Sequence, residues 1–290
     1  MLVVIQYVKY KKGVSMQVGN NSQINADIYS NANQSLNRIA AGVTLNQASD
    51  NASSLAISNN LQVQASGYSA AIENTNSALA LTQIADSATK EQSNILDNVK
   101  EKLLQASTDT TSQEGRDAIL KDIKGLLEQF DNIASSTNYN DNNLLQNSQT
   151  DTSASNSLQF QAGKENGDII ESSGVQSNTQ GLGLSALLNQ DENSFSSSDA
   201  RGFLDTVDEA ISGLSDIRSE FGAVANQLES STRNLLTQKN QTIEANSVFD
   251  TDYVKESANF SKQNVLAQIG AFASAQANNI NQQTVGRLLT

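Results

Sequence analysis

Catalysis near neutral pH draws on a short set of side chains, and this sequence lacks most of them. It contains no His and no Cys. That removes the imidazole base, the thiolate nucleophile and the usual ligands of a zinc site. Hydroxyls, lysines and carboxylates remain. Carboxylate pairs such as Asp250/Asp252 and Asp191/Glu192 stand close in sequence. Such pairs can share acid–base work when they line a concave pocket. Here both are expected to be capping or solvated groups, with Asp250 placed as the N-cap of a final helix. No catalytic residue, cofactor site or metal site is assigned, and an enzyme is not the expected reading.

Composition narrows the class further. The 290 residues are 37% hydrophobic but only 5% aromatic, with no Pro, no Trp and a formal charge of −13. So few large apolar side chains favour slender layers of helix over a broad globular core. The acidity argues against nucleic acid and anionic lipid, both of which attract Lys and Arg clusters. No apolar run reaches the roughly 20 residues of a membrane span, so membrane insertion is not expected. Without Pro, helices meet no obligatory breaker. The opening MLVVIQYVKYKKGVS is apolar and then basic, the reverse of a secretory signal. Residues 1–15 therefore read as a possible upstream extension, with Met16 an alternative start.

The elements follow from periodicity. Asp50, followed by Ser53, Leu55 and Ile57, reads as a helix start. Apolar residues then recur at helical spacing through Leu61, Tyr68, Ile72, Leu79, Leu81, Ile84, Ile95, Val99 and Leu103, which predicts a long rod. Thr108–Gly115 is a polar loop. Arg116–Ile133 should fold back as an antiparallel hairpin, ended by the turn-rich NYNDNN at 138–143. Residues 146–200 have a composition near that of disordered segments. Within them Ser157–Ala162 and Asp168–Glu171 predict a short β-hairpin, and Gly181–Leu188 a helical turn. From 199 onward Val207, Leu214, Phe221, Leu228 and Leu235 repeat every seven residues, the signature of a helix packed on partners. Apolar stripes near both chain ends have no evident partner except each other. That predicts an antiparallel terminal pair with apolar surface left over for self-association.

Several stretches carry a resemblance. NRIAAGVTLNQASDNASSLAISNNL at 37–61 is similar to the most diagnostic N-terminal stretch of bacterial flagellins. NYNDNNLL at 138–145 resembles that family's post-hairpin turn, with Asp141 where Gly is usual. Residues 158–163 with 168–170 resemble its first β-hairpin. IRSEFGAVANQL at 217–228, DTDYVKESANFSKQNVL at 250–266 and ASAQAN at 273–278 resemble its C-terminal helices. The blocks keep the family's order and span roughly 190 residues.

The resemblance implies a mainly α fold, an antiparallel helical bundle or coiled coil with a small β-hairpin element in the middle. It divides the chain into a possible extension at 1–15, an N-terminal inner-core helix at 16–46, rod helices at 47–145, a short variable region at 146–200, a C-terminal rod helix at 201–249 and an inner-core helix at 250–290. It implies a secreted structural subunit of the bacterial flagellum, exported unfolded and self-assembled for motility. The alternative is a flagellin-like paralogue with a signalling or adhesive role, minor in or absent from the filament. Partners so implied are further copies, other flagellins, the export apparatus, an export chaperone and the filament cap, with no cofactor. Self-assembly is expected to use Leu36, Ile39, Phe260, Leu266, Ile269, Phe272, Ile280 and Leu288. Rod packing is expected to use Ile57, Leu61, Leu103, Val207, Leu214, Phe221 and Leu228. At the family's innate-receptor surface this chain has Asn98, Lys102 and Asp122 in place of the usual Arg, Leu and Glu, which implies weaker receptor activation.

Overall fold

The computed structural model describes residues 23, 25–146 and 148–288, and their side chains apart from 193, 278, 281 and 284–288. The expected extension at 1–15, the start of the first helix and the Leu288 side chain lie outside the described residues. Long helices dominate. The first two are α1 at 25–41 and α2 Ala48–Ala106, followed by α3 Gln113–Ser136. Next come the two-residue strands β1 Asn138–Tyr139 and β2 Asn142–Asn143, the strands β3 Leu158–Gln161 and β4 Ile169–Ser172, and a helical turn α4 Ser185–Leu188. The long helix α5 Ser197–Ser247 follows, and α6 Tyr253–Leu288 closes the chain. The chain divides into two compact units. A terminal unit takes Met1–Val63 with Thr242–Thr290, and a central unit takes Gln64–Gln241.

In the central unit, the α2 seam steps by three and four: Tyr68, Ala71, Thr75, Ala78, Thr82, Ala85, Thr89, Gln92, Leu96, Val99, Leu103 and Ala106 are all buried. This is an a/d heptad, but half of it is written in Thr and Ala. Thr75, Thr82 and Thr89 each donate the hydroxyl to the carbonyl four residues back. The polar atom is thereby satisfied within the helix and the γ-methyl is left to face the partner. The matching seam of α5 carries the bulk, with Val207, Leu214, Phe221, Val224, Leu228 and Leu235 buried. Leu235 packs on Tyr68 and Ala71, Val224 and Leu228 on Ala78, Phe221 on Ala85. The helices therefore run antiparallel, large side chains against small ones. Toward the α2 C-terminus the seam turns to Leu96, Val99 and Leu103, and α3 completes the largest cluster with Leu120, Ile123, Leu127 and Phe130.

Helix ends are set by local hydrogen bonds. Ser112 accepts from the Gly115 N–H to cap α3. Ser196 and Asp199 form a reciprocal box at the start of α5: Ser196 Oγ accepts from the Asp199 N–H, and the Asp199 carboxylate accepts from the Ser196 N–H and Oγ–H. The Ser196 hydroxyl, and then its amide, hold the Asp199 carboxyl below its ordinary value.

The region expected to resemble disordered chain is pinned instead. β3 pairs antiparallel with β4, Phe160 opposite Ile170, and both side chains pack against the Ala78–Val224–Leu228 cluster. Ser177, Asn178 and Thr179 are buried. Gln92 Nε2 donates to the Phe130 and Ser177 carbonyls. Asn178 Nδ2 donates to the carbonyls of Ser148, Gln149 and Asp151. The buried Asp131 carboxylate accepts from both the amide and the hydroxyl of Thr179. A polar sequence is ordered here because its amides find backbone partners inside the fold.

Asn140 and Asp141 both adopt positive φ, 51° and 64°, in the type I′ turn that joins β1 to β2. Glycine occupies that region without steric cost, so Asp141→Gly should raise stability by about 0.5–1 kcal/mol in urea titrations. An unchanged midpoint would show that the turn carries no such strain. A second expectation concerns Asp131, whose carboxyl is raised above its ordinary value by burial, against the opposing Thr179 hydrogen bonds. The folded state therefore holds this proton more tightly than the unfolded state does. Its contribution is full below the unfolded value and is lost as pH rises through the folded one. Asp131→Asn removes that titration, so the stability difference between the parent and this variant should favour the parent more at about pH 3 than at about pH 7.

Candidate assembly surface

The terminal unit is built on α1 and α6. The side chains that α1 turns inward are Asn25, Ile28, Ala32, Ser35 and Ile39; those of α6 are Glu256, Phe260, Gln263, Ala267, Gly270, Ser274 and Ala277. Both series keep the three–four heptad step. Asn25 Nδ2 donates to Ser274 Oγ, 3.3 Å away, and Arg38 pairs with Glu256 at 3.7 Å, so the two helices run antiparallel. The seam is mostly small: a Cβ built on Gly270 would meet Asn25 Oδ1. Small residues let the backbones approach, but they bury little apolar area.

Ile28, Ile39 and Phe260 are half-buried in this seam, and most other large apolar side chains of the unit point elsewhere. Its buried apolar residues among those described are Ala32 and Ala267, whereas Tyr29, Leu36, Ile57, Val63, Ile243, Val248, Tyr253, Val254, Val265, Leu266, Ile269, Phe272 and Ile280 are exposed. Phe272 is 74% exposed and Val254 82%. Val265, Ile269 and Phe272 follow the i, i+4, i+7 spacing of one α6 face. A soluble monomer rarely leaves so much contiguous apolar surface to water.

The connection from α1 to α2 and that from α5 to α6 meet in a short ladder. Gly42 takes φ +73° at the end of α1. Val43 bridges Asp250. The Thr44 N–H donates to the Phe249 carbonyl and the Thr251 N–H to the Gly42 carbonyl. Arg38 lies between the carboxylates of Asp50 (3.9 Å) and Glu256 (3.7 Å), whose side chains are 9% and 10% exposed. Asp50 also accepts from the Asn46 and Gln47 amides. The long run of α2 begins one residue later than expected: Asn51 is extended (φ −168°), and its side chain accepts from the Ser54 N–H as an N-cap. Ser58 Oγ donates to Asn246 Oδ1 and ties the start of α2 to the end of α5.

The structure sorts the expected residues. Leu36, Leu266, Ile269, Phe272 and Ile280 are exposed, while Ile39 and Phe260 are half-buried in the α1/α6 pair. Val254 and Val265 share the exposed set and lie outside the expected one, although Val265 shares a helical face with Ile269. Leu103, Val207, Leu214, Phe221 and Leu228 are buried in the central unit. Leu61 is half-buried. Ile57 does not pack: it is 51% exposed although it stands two heptads before the buried Ala71, because at this end of α2 the inward position passes to Ser58, half-buried and bonded to Asn246. Asn98 and Asp122 are exposed, and Lys102 is half-buried with its ammonium 2.8 Å from the Asp122 carboxylate.

Catalytic chemistry has no comparable support. Asp252, not Asp250, caps α6 by accepting from the Val254 and Lys255 amides; Asp250 lies two residues earlier, in the backbone bridge opposite Val43. Glu192 pairs with Lys124. An open cleft of about 460 Å³ beside the β3–β4 turn includes Tyr68, Lys164, Glu165, Asp168 and Asn234. Its Asp168 carboxylate is engaged by the Glu165 N–H, and Lys164 sits 5.8 Å from the Tyr68 ring centre. Among the described residues no cluster of three or more carboxylates could hold a metal ion, and no helix is long and apolar enough to cross a membrane.

Comparison with known proteins agrees with the sequence blocks. Residues 14–150 match the bacterial flagellin N-terminal helical region, and 204–289 match the bacterial flagellin C-terminal helical region. The chain is similar to a flagellin of Halalkalibacterium halodurans, 30% identical over 260 residues covering 89% of this chain and 92% of that protein. It is also similar to a flagellin of Bacillus subtilis, 30% identical over 269 residues covering 84% and 88%. Among solved structures, a Vibrio parahaemolyticus chain assigned as a flagellar hook-associated protein shares the fold at TM-score 0.55 and 10% identity, over 66% of this chain and 94% of its own. Bacillus cereus flagellin is 26% identical at TM-score 0.49, over 56% and 88%.

The ladder at Gly42 yields a test of the terminal unit alone. A Cβ there would lie 2.9 Å from Tyr253 Oη, in a backbone region that costs an L-residue about 1–2 kcal/mol. Gly42→Ala should speed hydrogen exchange at the Thr44 and Thr251 amides and leave the Leu96 and Leu214 amides unchanged. Equal protection in parent and variant at Thr44 would contradict the geometry.

Proposed function

The chain belongs to the bacterial flagellin family and is a secreted structural subunit of the flagellar filament, and we propose that copies join through the terminal unit. In this reading Leu36, Leu266, Ile269, Phe272 and Ile280 become buried between copies. The α1/α6 pair, with Ile39 and Phe260 partly inside it, sets the spacing of those contacts. One observation carries the reading: among the described residues the terminal unit fully buries no apolar side chain larger than Ala, with Ile28, Ile39 and Phe260 only half-buried in the seam, while most of its large apolar side chains are exposed. Each such side chain gains about 1.5–3 kcal/mol on full burial, and a patch repeated on every copy multiplies along a non-closing interface into a fibre.

The remaining partners are proposed on the same footing. A chain without Pro and with 5% aromatic residues has no slow prolyl isomerisation and few sticky rings, which suits passage in an unfolded state through an export apparatus, held by a chaperone and released beneath a cap. Other flagellins would present equivalent terminal helices and could co-assemble.

The test is polymerisation of point variants. Ile269→Ser with Phe272→Ser removes two exposed side chains, so the monomer's stability should stay within about 0.5 kcal/mol of the parent. The critical concentration for seeded filament growth should rise by at least about tenfold, which corresponds to roughly 1.4 kcal/mol of weaker association. Filaments forming at the parental concentration would overturn the assignment of these residues.

A further inference from the structure

We propose that Asn166 is a site of spontaneous covalent modification, deamidating through a succinimide at the tip of the β3–β4 hairpin. Asn166–Gly167 is the single Asn–Gly step in the sequence. Glycine is the residue that least hinders attack by its own backbone nitrogen, because it has no Cβ. The structure adds three observations. Residues 164–169 are exposed, so water and hydroxide reach the step. A Cβ built on Gly167 would meet nothing within 4 Å, so the space that a ring closure needs is open. The turn is also held from both sides, and at the step itself the Gly167 carbonyl accepts from the Ile169 N–H. The Asp168 N–H donates to the Glu165 carbonyl and the Ala162 N–H to the Asp168 carbonyl. The Asp168 carboxylate accepts from the Glu165 N–H, and Gln161 Nε2 donates to the Gly163 and Glu165 carbonyls. No hydrogen bond among those of the described residues engages the Asn166 side chain or the Gly167 N–H.

The Asn–Ser steps at 76–77 and 246–247 contrast with this one. Both lie within helices, where the nucleophilic amide is committed to the backbone ladder.

The chemistry balances with water alone. The Gly167 nitrogen loses its proton to solvent base and attacks Asn166 Cγ. The bond from Cγ to the side-chain nitrogen breaks, and ammonia leaves. One water then opens the five-membered imide at either carbonyl, giving aspartate or isoaspartate. Either product places a third carboxylate beside Glu165 and Asp168 on the rim of the cleft that holds Lys164 and Tyr68. The isoaspartyl form also reroutes the backbone through the side chain, in a turn whose register positions Phe160 and Ile170 on the central unit.

The experiment is peptide mapping by mass spectrometry of the purified full chain, sampled over time in mildly alkaline buffer. The peptide containing Asn166 should acquire the deamidation mass increment severalfold faster than the peptide containing the exposed Asn156–Ser157 step, and should split into aspartate and isoaspartate forms. Gly167→Ala, for which the turn has room, should slow the conversion severalfold while leaving the melting curve unchanged. Conversion at Asn166 no faster than at Asn156, or equally fast in Gly167→Ala, would overturn the proposal.

Discussion

In the α1/α6 pair half of the inward positions are held by Ala32, Ser35, Ala267, Gly270, Ser274 and Ala277, with Ile28, Ile39 and Phe260 only half-buried among them, and that smallness constrains what else the terminal unit can do. Two helices in close backbone contact exclude water from a narrow strip, and the strip buries too little apolar area to hold the pair firmly. Hydrogen bonds and ion pairs add what they can: Asn25 to Ser274, Arg38 to Asp50 and Glu256, the ladder at Val43 and Asp250. Such terms are individually worth about 1 kcal/mol. The larger source of stabilisation lies on the outside, in side chains such as Ile269 and Phe272, and can be realised only against another surface. A flagellin subunit that ordered its terminal helices fully by itself would have less to gain from its neighbours.

The central unit uses the same heptad step with the opposite outcome. Its seam sets Ala71, Ala78 and Ala85 on α2 against Leu235, Val224 with Leu228, and Phe221 on α5, with Thr75 and Thr82 buried between them, so the bulk is turned inward and the cluster around Leu96, Leu127, Phe130 and Leu214 is closed to water. Where one helix brings the volume, the other must withdraw it, and threonine does so without orphaning a polar atom. The two units thus show that a shared periodicity fixes orientation, whereas residue size decides whether the apolar surface is consumed inside the chain or offered outside it.

That distinction explains which parts of the structure are legible in the amino-acid order. The α5 seam is legible because its residues are large and apolar at a strict seven-residue step. The α2 seam is not, since Thr75, Thr82, Thr89 and Gln92 look like surface residues until their hydroxyls and amide are seen bonded to carbonyls. A stripe drawn through the visible apolar residues therefore includes Ile84, which lies off the seam and is exposed. The expected caps miss by one or two residues for a related reason. Asp50 and Asp250 are good capping residues, but the Asp50 carboxylate is taken by the Asn46 and Gln47 amides and Arg38, and Asp250 lies in the backbone bridge opposite Val43, before α6 starts. Asn51 and Asp252 do the capping. The exposed candidates on α6 are legible as apolar residues on a terminal helix with no internal partner. Which of them face α1 depends on the positions of Ala267 and Gly270.

The ordered middle region carries the same logic to its last step. By composition residues 146–200 cannot bury enough apolar area to fold alone, and they do not. Phe160 and Ile170 use the surface of α2 and α5, while Asn178, Thr179 and Gln146 commit their polar groups to carbonyls and to Asp131. The helices supply the apolar platform and the segment supplies the hydrogen bonds that keep its own backbone satisfied. The segment in turn gives Leu184, Leu187 and Phe195 to the largest core cluster, whereas its exposed tip at 164–169 is free to change. Substitutions or modifications there alter the surface presented by the subunit, while the seams of α2 with α5 and of α1 with α6 remain as they are.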